Sequence, residues 1–568
     1  MNGVVKQSLG YFRKNKANTA VICILTFLTS FMYFFVQCSI DKNKKLLNAK
    51  TALDDNDLMF RTALDSNSVL ALVFLVILSI ITLFIFYMFY KKKFDLERRN
   101  MGLLRSLGFT CSSITRIYMT ISFVIGTVFT LIGMAAGYYF SYIILNNYKI
   151  SCHVDYAQRG LSPLSFFMGV IVVSAVISLA ALLASCSYKK SETSELLSGQ
   201  TKEMENDFIN RTAEKVSKII ISKYSFSSRL ALRKPFNILL MLISVSIYLG
   251  MILISFSLNL SSDKIYTSLS DGRNYGYEIR LCETKTNEPD GCEFFVVETA
   301  DISVGNKDIG EQEITAIDNG GKEFVLSDGK SQIALGDGEA AVSLRTADVY
   351  GVEKGDVITA VYSGREYSFT VKAIASNAAM NSVYVSRSCW NSMTGEPKNA
   401  YNGIWCDDVP VISGEKSILT HDEYLAQLDD SNVSNRISAV INQVLGCVFG
   451  LLLIFLVLLL NFQDNSLNFV YLRKLGYLRF EIRKMLVNIY FPIMITAFIV
   501  VSVPTVFIAK GVLRMLSLQT GDYMPFTMSI PVFVYAFIIL LILYYAVLLM
   551  FDMKLKRTLK KIDNGDEV

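Results

Sequence analysis

Eight apolar runs, each long enough to cross a bilayer as a helix, constrain everything else in this 568-residue chain. A helical crossing needs about 20 residues. Runs of that order lie near 18–38, 69–90, 117–144, 163–187, 236–259, 437–462, 486–512 and 529–551. Inside lipid a backbone N–H or C=O finds no water, so segments of this kind must satisfy their own hydrogen bonds as helices. Only 18% of the residues are charged, less than a soluble chain of this size carries.

The placement of charge orients the spans. Segments 91–116, 188–235, 463–485 and 552–561 are rich in Lys and Arg, whereas 145–162 holds only Lys149 and Arg159, and 513–528 only Arg514. The loop 39–68 balances five basic residues against five Asp. The positive-inside rule then predicts both termini in the cytoplasm, which an even number of spans allows. The first run follows Phe12-Arg13-Lys14-Asn15-Lys16, lacks a small-residue cleavage site and is expected to stay as a helix. Residues 1–17 read as an amphipathic stalk at the membrane surface.

Between the second and third runs lies Met101 to Tyr118, flanked by Lys91, Lys92, Lys93, Arg98 and Arg99. Met101, Leu104 and Leu107 recur at helical spacing, which predicts one apolar face on a short helix. Gly108 is a natural helix stop, and Ser112 or Ser113 can cap the next span. The pattern returns downstream. Leu104-Arg105-Ser106-Leu107-Gly108-Phe109 matches Leu472-Arg473-Lys474-Leu475-Gly476-Tyr477, 368 positions on. The stretches entering the first and fifth runs, Arg13 and Arg233, align at an offset of 220. The difference between the offsets matches the difference between two loops, 30 residues at 39–68 and 177 at 260–436. The chain therefore reads as two four-span units, the second carrying an insert.

The insert is soluble in character. Tyr277 to Arg280, Phe294 to Val297, Val357 to Tyr362 and Tyr367 to Val371 read as strands, with turns at Asp318 to Gly321, Ser327 to Gly329 and Ser363 to Arg365. Of ten cysteines, Cys282, Cys292, Cys389 and Cys406 fall here. Short loops close between Cys282 and Cys292 and between Cys389 and Cys406, so disulfides are candidates in an oxidising exterior, with connectivity open. In the third run, Gly126, Gly133 and Gly137 have the spacing that lets helices approach closely.

No catalytic constellation stands out. His153 and His421 have no partners at metal-ligand spacing. Gly329-Lys330-Ser331 ends like a phosphate-binding loop, but Phe324 occupies the place of the required glycine. Charged residues are nearly absent from the spans, which argues against an ion-driven carrier.

The run Glu97 to Phe109 resembles the inner-loop motif of FtsX-like (MacB-type) permeases of ABC transporters, and Leu472 to Tyr477 resembles it again. Gly338 to Ser343, Gly351 to Ile358 and Tyr367 to Val371 resemble that family's outer domain. The resemblance implies a permease working by mechanotransmission, in which a cytoplasmic ATPase pair grips helices between the second and third spans of each unit. By position, Leu104, Arg105, Leu107 and Gly108, with Leu472, Arg473, Leu475 and Gly476, are the implied ATPase-coupling residues. The chain itself is expected to be no enzyme and to bind no cofactor or metal, ATP acting through the partner.

The expected fold class is an α-helical polytopic membrane protein with eight transmembrane helices as two four-helix repeats and an inserted extracytoplasmic α+β domain. Its divisions are a stalk at 1–17, a first unit at 18–187, a connector and second stalk at 188–235, a fifth span at 236–259, the outer domain at 260–436, spans six to eight at 437–551 and a tail at 552–568. The expected setting is a bacterial plasma membrane. The expected partners are an ABC ATPase, membrane lipid and a sensor kinase or outer accessory protein, with no nucleic acid. The expected cargo is a peptide, lipopeptide or lipid-linked ligand. The alternative is a non-transporting transducer that regulates a cell-wall hydrolase or a sensor kinase.

Overall fold

The computed structural model describes residues 16–50, 54–189, 235–305, 307–410, 414–520 and 523–563. The stalk at 1–15, most of the connector, where Ser191 to Leu197 reads from the sequence as a short capped helix, and the last five residues lie outside them. Two compact units emerge: Met1–Leu249 with Gly446–Val503 and Tyr535–Val568, and Gly250–Leu445 with Pro504–Val534. Among the described residues, eight helices are long and apolar enough to cross a membrane, and this fits a polytopic helical membrane protein.

In chain order the first unit begins with α1 (Lys16–Gln37), α2 (Asp41–Asn48), α3 (Asp55–Leu96), α4 (Arg98–Ser106), α5 (Cys111–Phe140), α6 (Tyr142–Ser151) and α7 (Pro163–Lys189). The helices overrun the apolar runs. The 42-residue α3 starts well before the run at 69, because Asp54 caps it by accepting from Asp57 N–H at 2.8 Å and nothing in the next turns breaks a helix. Bundle packing follows small residues. Ser122, Gly126, Thr130, Gly133 and Gly137 make the buried stripe of α5. A Cβ added at Gly133 would stand 2.6 Å from the Phe27 carbonyl oxygen, and one at Gly137 2.8 Å from Phe35 N, so only glycine lets α5 lie this close to α1. Hydroxyls fasten the bundle as well: Ser30 donates to Thr130 O at 2.8 Å between α1 and α5, and Thr29 and Thr82 share a 2.9 Å bond between α1 and α3.

From α8 (Pro235–Ser270) the chain enters the sheet unit: β1 (Tyr277–Lys285), β2 (Glu293–Val304), β3 (Lys307–Ile317), β4 (Glu339–Ser343), α9 (Leu344–Tyr350), β5 (Val357–Tyr362), β6 (Arg365–Ala375), β7 (Ser382–Ser386), α10 (Arg387–Thr394), β8 (Tyr401–Cys406) and β9 (Glu415–Thr420). The order is β3-β7-β4-β6-β5-β2-β8-β1-β9, and β2 also pairs with β3. That extra pairing closes six strands into a barrel and leaves β8, β1 and β9 as an arm. Alternation fills it: Val296, Ala300 and Ile302 of β2 pack with Phe369, Val371, Val385 and Trp390, while Phe295 points the other way to stack on Trp405 at 4.0 Å. This unit also takes in Pro504–Val534, beyond the expected 260–436. Arg514 donates to Val349 O at 2.9 and 2.6 Å, and Arg345 donates to Ser517 O at 3.1 Å.

The rest is α11 (His421–Asp464), α12 (Ser466–Lys474), α13 (Arg479–Ile482), a π-helical turn at Arg483–Val487, α14 (Tyr490–Thr520) and α15 (Ile530–Asp563). Where α5 runs unbroken from Cys111, its counterpart breaks between α13 and α14. Pro492 is the reason: it has no N–H to give and its ring crowds the carbonyl of Asn488.

Candidate functional site

The two basic loops that the sequence singles out fold alike, residue for residue, at the 368 offset. Both short helices have nine residues. Each starts from a residue in the bridge region, Glu97 (φ −100°, ψ 15°) and Asn465 (φ −101°, ψ 11°). Each is anchored by one large buried residue in its first turn, Met101 and Phe469. Each ends identically: Gly108 N–H donates to Arg105 O at 3.0 Å and Phe109 N–H to Leu104 O at 3.1 Å, and Gly476 N–H donates to Arg473 O at 3.0 Å and Tyr477 N–H to Leu472 O at 3.1 Å. Gly108 and Gly476 sit at φ +90° and +89°, the left-handed conformation that favours glycine at a helix end.

The apolar face differs from the expected one. Met101 is buried, Leu104 half-buried, and the exposed pair is Leu103 (55%) with Leu107 (68%). In the second copy Tyr471 (62%) and Leu475 (74%) occupy those positions, with Leu472 half-buried. Spacing alone ranks Leu104 with Leu107. The inward pull of Met101 rotates the helix so that Leu103 stands beside Leu107, one turn apart. Leu478 and Phe480 extend the exposed surface of the second copy. Arg105 and Arg473 are half-buried. Arg473 forks onto Asp563 at the end of α15, at 2.8 and 3.0 Å, and this pairing holds the Asp563 carboxyl below the usual carboxylate range. The cap of α5 is Thr110, whose Oγ1 accepts from Ser113 N–H at 3.2 Å, rather than Ser112 or Ser113, because the glycine turn leaves Thr110 as the last extended residue.

Beneath each helix lies a polar junction that the sequence reading passed over. Lys93 reads as one of three flanking lysines, yet it is fully buried, with Nζ 4.4 Å from the Tyr118 ring centroid. Tyr118 O–H donates to Glu97 Oε2 at 3.0 Å. Burial pushes Lys93 down to about 8, with Glu97 pulling it back up, and burial raises the Glu97 carboxyl above its ordinary value. At the same positions in the second copy stand Asn461, Asn465 and Leu486. Asn461 donates to Leu486 O at 2.8 Å, and Asn465 donates to Asn461 Oδ1 at 2.7 Å. The available signal was the i, i+4 spacing of polar residues repeated at the 368 offset.

In the sheet unit Cys282, Cys292, Cys389 and Cys406 are free thiols. The β2–β8 register pairs Glu293 with Trp405, and continuing it by one residue beyond the start of β2 sets Cys292 opposite Cys406. Burial pushes Cys406 up to about 12, and the neighbouring Cys292 adds to the shift. Cys282 is exposed, and Cys389 accepts from Gly338 N–H at 3.4 Å. The geometry thus brings together one cysteine from each short loop, rather than the two ends of either loop.

Residues 72–193 match the family model described as FtsX-like permease C-terminal. The match runs from within α3 through α4, α5, α6 and α7, and so contains the first short helix and its junction. It supports the FtsX-like permease family, whose members are membrane permease subunits, generally non-catalytic and generally associated with an ABC ATPase. No curated protein matches the chain.

Proposed function

We propose that the chain is the membrane-spanning permease of an ABC transporter working by mechanotransmission, with α4 and α12 as its two coupling helices. The observation that carries this reading is the recurrence, 368 residues apart, of one backbone: bridge residue, nine-residue helix, left-handed glycine, and an exposed leucine at the same place. A soluble ATPase pair needs two equivalent holds on one membrane chain, and these are two. Each presents apolar side chains in a basic segment, Leu103 and Leu107 beside Arg99, and Tyr471 and Leu475 beside Lys474. Large apolar groups exposed at a membrane boundary mark a surface for protein contact.

In this reading the chain carries the coupling surface and the spans, and ATP is bound and hydrolysed by the partner. The positive-inside pattern puts α4, α12 and both termini in the cytoplasm and the sheet unit outside. The apolar spans and outer barrel suit a peptide, lipopeptide or lipid-linked ligand. Two FtsX-like units in one chain supply both halves of a permease.

The test is affinity purification of the full chain in mild detergent, followed by mass spectrometry. An ATP-binding protein at stoichiometric level is expected with the parent chain. The Leu103→Asp, Leu107→Asp variant should lose at least about tenfold of it, since burying a carboxylate in an apolar groove costs several kcal/mol. Undiminished capture by that variant sinks the assignment of α4.

A further inference from the structure

At the end of the first bundle opposite α4, the loop between α6 and α7 folds back over α2. Polar bonds fasten this cap. Asp41 accepts from Ser162 N–H at 2.7 Å, Ser165 Oγ at 3.1 Å and Gln37 Nε2 at 2.8 Å. Asn43 accepts from Gln158 N–H at 2.9 Å, and Asn67 donates to Tyr148 O–H at 2.5 Å. Lys50 and Tyr156 both bond Asp57, and Lys44 pairs with Asp65 at 2.7 Å.

Against this cap lies a cavity of about 590 Å³ whose lining includes Lys42, Lys149, Arg159, Tyr138, Tyr142 and Asn146. Three cations line it and no carboxylate does. Asp41, Asp57 and Asp65 are already committed to the bonds above. Gly160 brings the loop so close to the Lys42 side chain that any Cβ there would collide with it. Arg159 is held open toward the cavity by a 3.3 Å bond to Tyr139 O and by stacking 5.7 Å from the Tyr138 ring. Like charges gathered around an empty volume repel, and an anion between them relieves that repulsion. Around the same end Tyr138, Tyr139, Phe140 and Tyr142 are exposed, the aromatic belt that marks headgroup depth in a bilayer.

We infer that this cavity binds a phosphate-bearing headgroup, with Lys42, Lys149 and Arg159 around the phosphate and Tyr142 and Asn146 as neutral donors. The volume admits a headgroup, and the tyrosine belt suits the attached acyl chains. The inference goes beyond the coupling reading and does not depend on it: a chain with no ATPase partner would bind the same ligand.

The experiment places the purified full chain in phosphatidylcholine nanodiscs, adds phosphatidylglycerol, and reads retained lipid by native mass spectrometry. A parallel arm adds inorganic phosphate to phosphatidylcholine nanodiscs. Saturable phosphatidylglycerol binding is expected, weakened roughly a hundredfold when Lys42, Lys149 and Arg159 are all changed to Gln. Lys45→Gln, exposed on the same helix but outside the cavity, should leave it unchanged. Lys42→Arg with Lys149→Arg should retain binding and so separate loss of charge from loss of fold. Inorganic phosphate binding as tightly as the lipid, with the same loss in the triple variant, assigns the site to soluble phosphate. Phosphatidylglycerol retention equal in the parent and the triple variant overturns the inference.

Discussion

Lys93 and Glu97 show how much one pair of side chains distinguishes the two copies. The same junction is ionisable under α4 and neutral under α12, where Asn461 and Asn465 stand. Burial holds Lys93 at about 8 against its ordinary 10.5, so between those values the unfolded chain binds more protons than the folded one. Stability therefore rises with pH across that window. Glu97, raised by burial, acts in the opposite sense: its contribution is present below its ordinary value and lost as pH climbs through the raised one. The parent chain in detergent should melt higher at about pH 9.5 than at about pH 7. The Lys93→Asn, Glu97→Asn variant, which gives the first copy the residues of the second, should lose that rise. A rise of equal size in the variant would show that other groups cause it.

At the scale of helices and strands, what the sequence revealed was local. The Leu-Arg-x-Leu-Gly-aromatic pattern specifies a helix end through a left-handed glycine, so α4 and α12 could be placed from it. The direction each helix faces was hidden, because the anchor is set by packing: Met101 goes inward and carries Leu103 to the surface. Lys93 was hidden for a related reason, since its burial depends on α3 continuing past the apolar run to meet Tyr118 of α5. Barrel closure and cysteine pairing depend on strand register between residues far apart in the chain, which composition does not encode. The register makes its own prediction. Cα atoms of directly opposed antiparallel residues lie about 4.5–5.5 Å apart, within the range a disulfide spans. Given a disulfide-bearing oxidant, which is itself reduced to two thiols, Cys292 and Cys406 should give up two protons and two electrons and join. Peptide mapping should find that cross-link, absent after reduction and in Cys406→Ser. A dominant Cys282–Cys292 or Cys389–Cys406 product would refute the register argument.

For the whole molecule, the sheet unit is wider than its soluble stretch of sequence. Arg514 and Arg345 tie α9 to residues 514–517, which the apolar pattern assigns to the loop between the seventh and eighth spans. Arg514→Ala removes a charged donor to Val349 O and should cost about 2 kcal/mol locally. Hydrogen exchange should speed up across Leu344–Tyr350 and not in β5 or β6, whereas unchanged protection of that helix would mean the tie carries no stability. The first unit works by a different constraint. Where Gly133 and Gly137 meet α1, the nearest groups are the Phe27 carbonyl oxygen and Phe35 N, with the Cβ atoms of Ser30 and Phe34, none of which a rotamer change can move aside. In the proposed coupling mechanism, a push on α4 would therefore move α1 and α5 together toward the far end, where α5 passes through Ser141 into α6 and the cationic cavity.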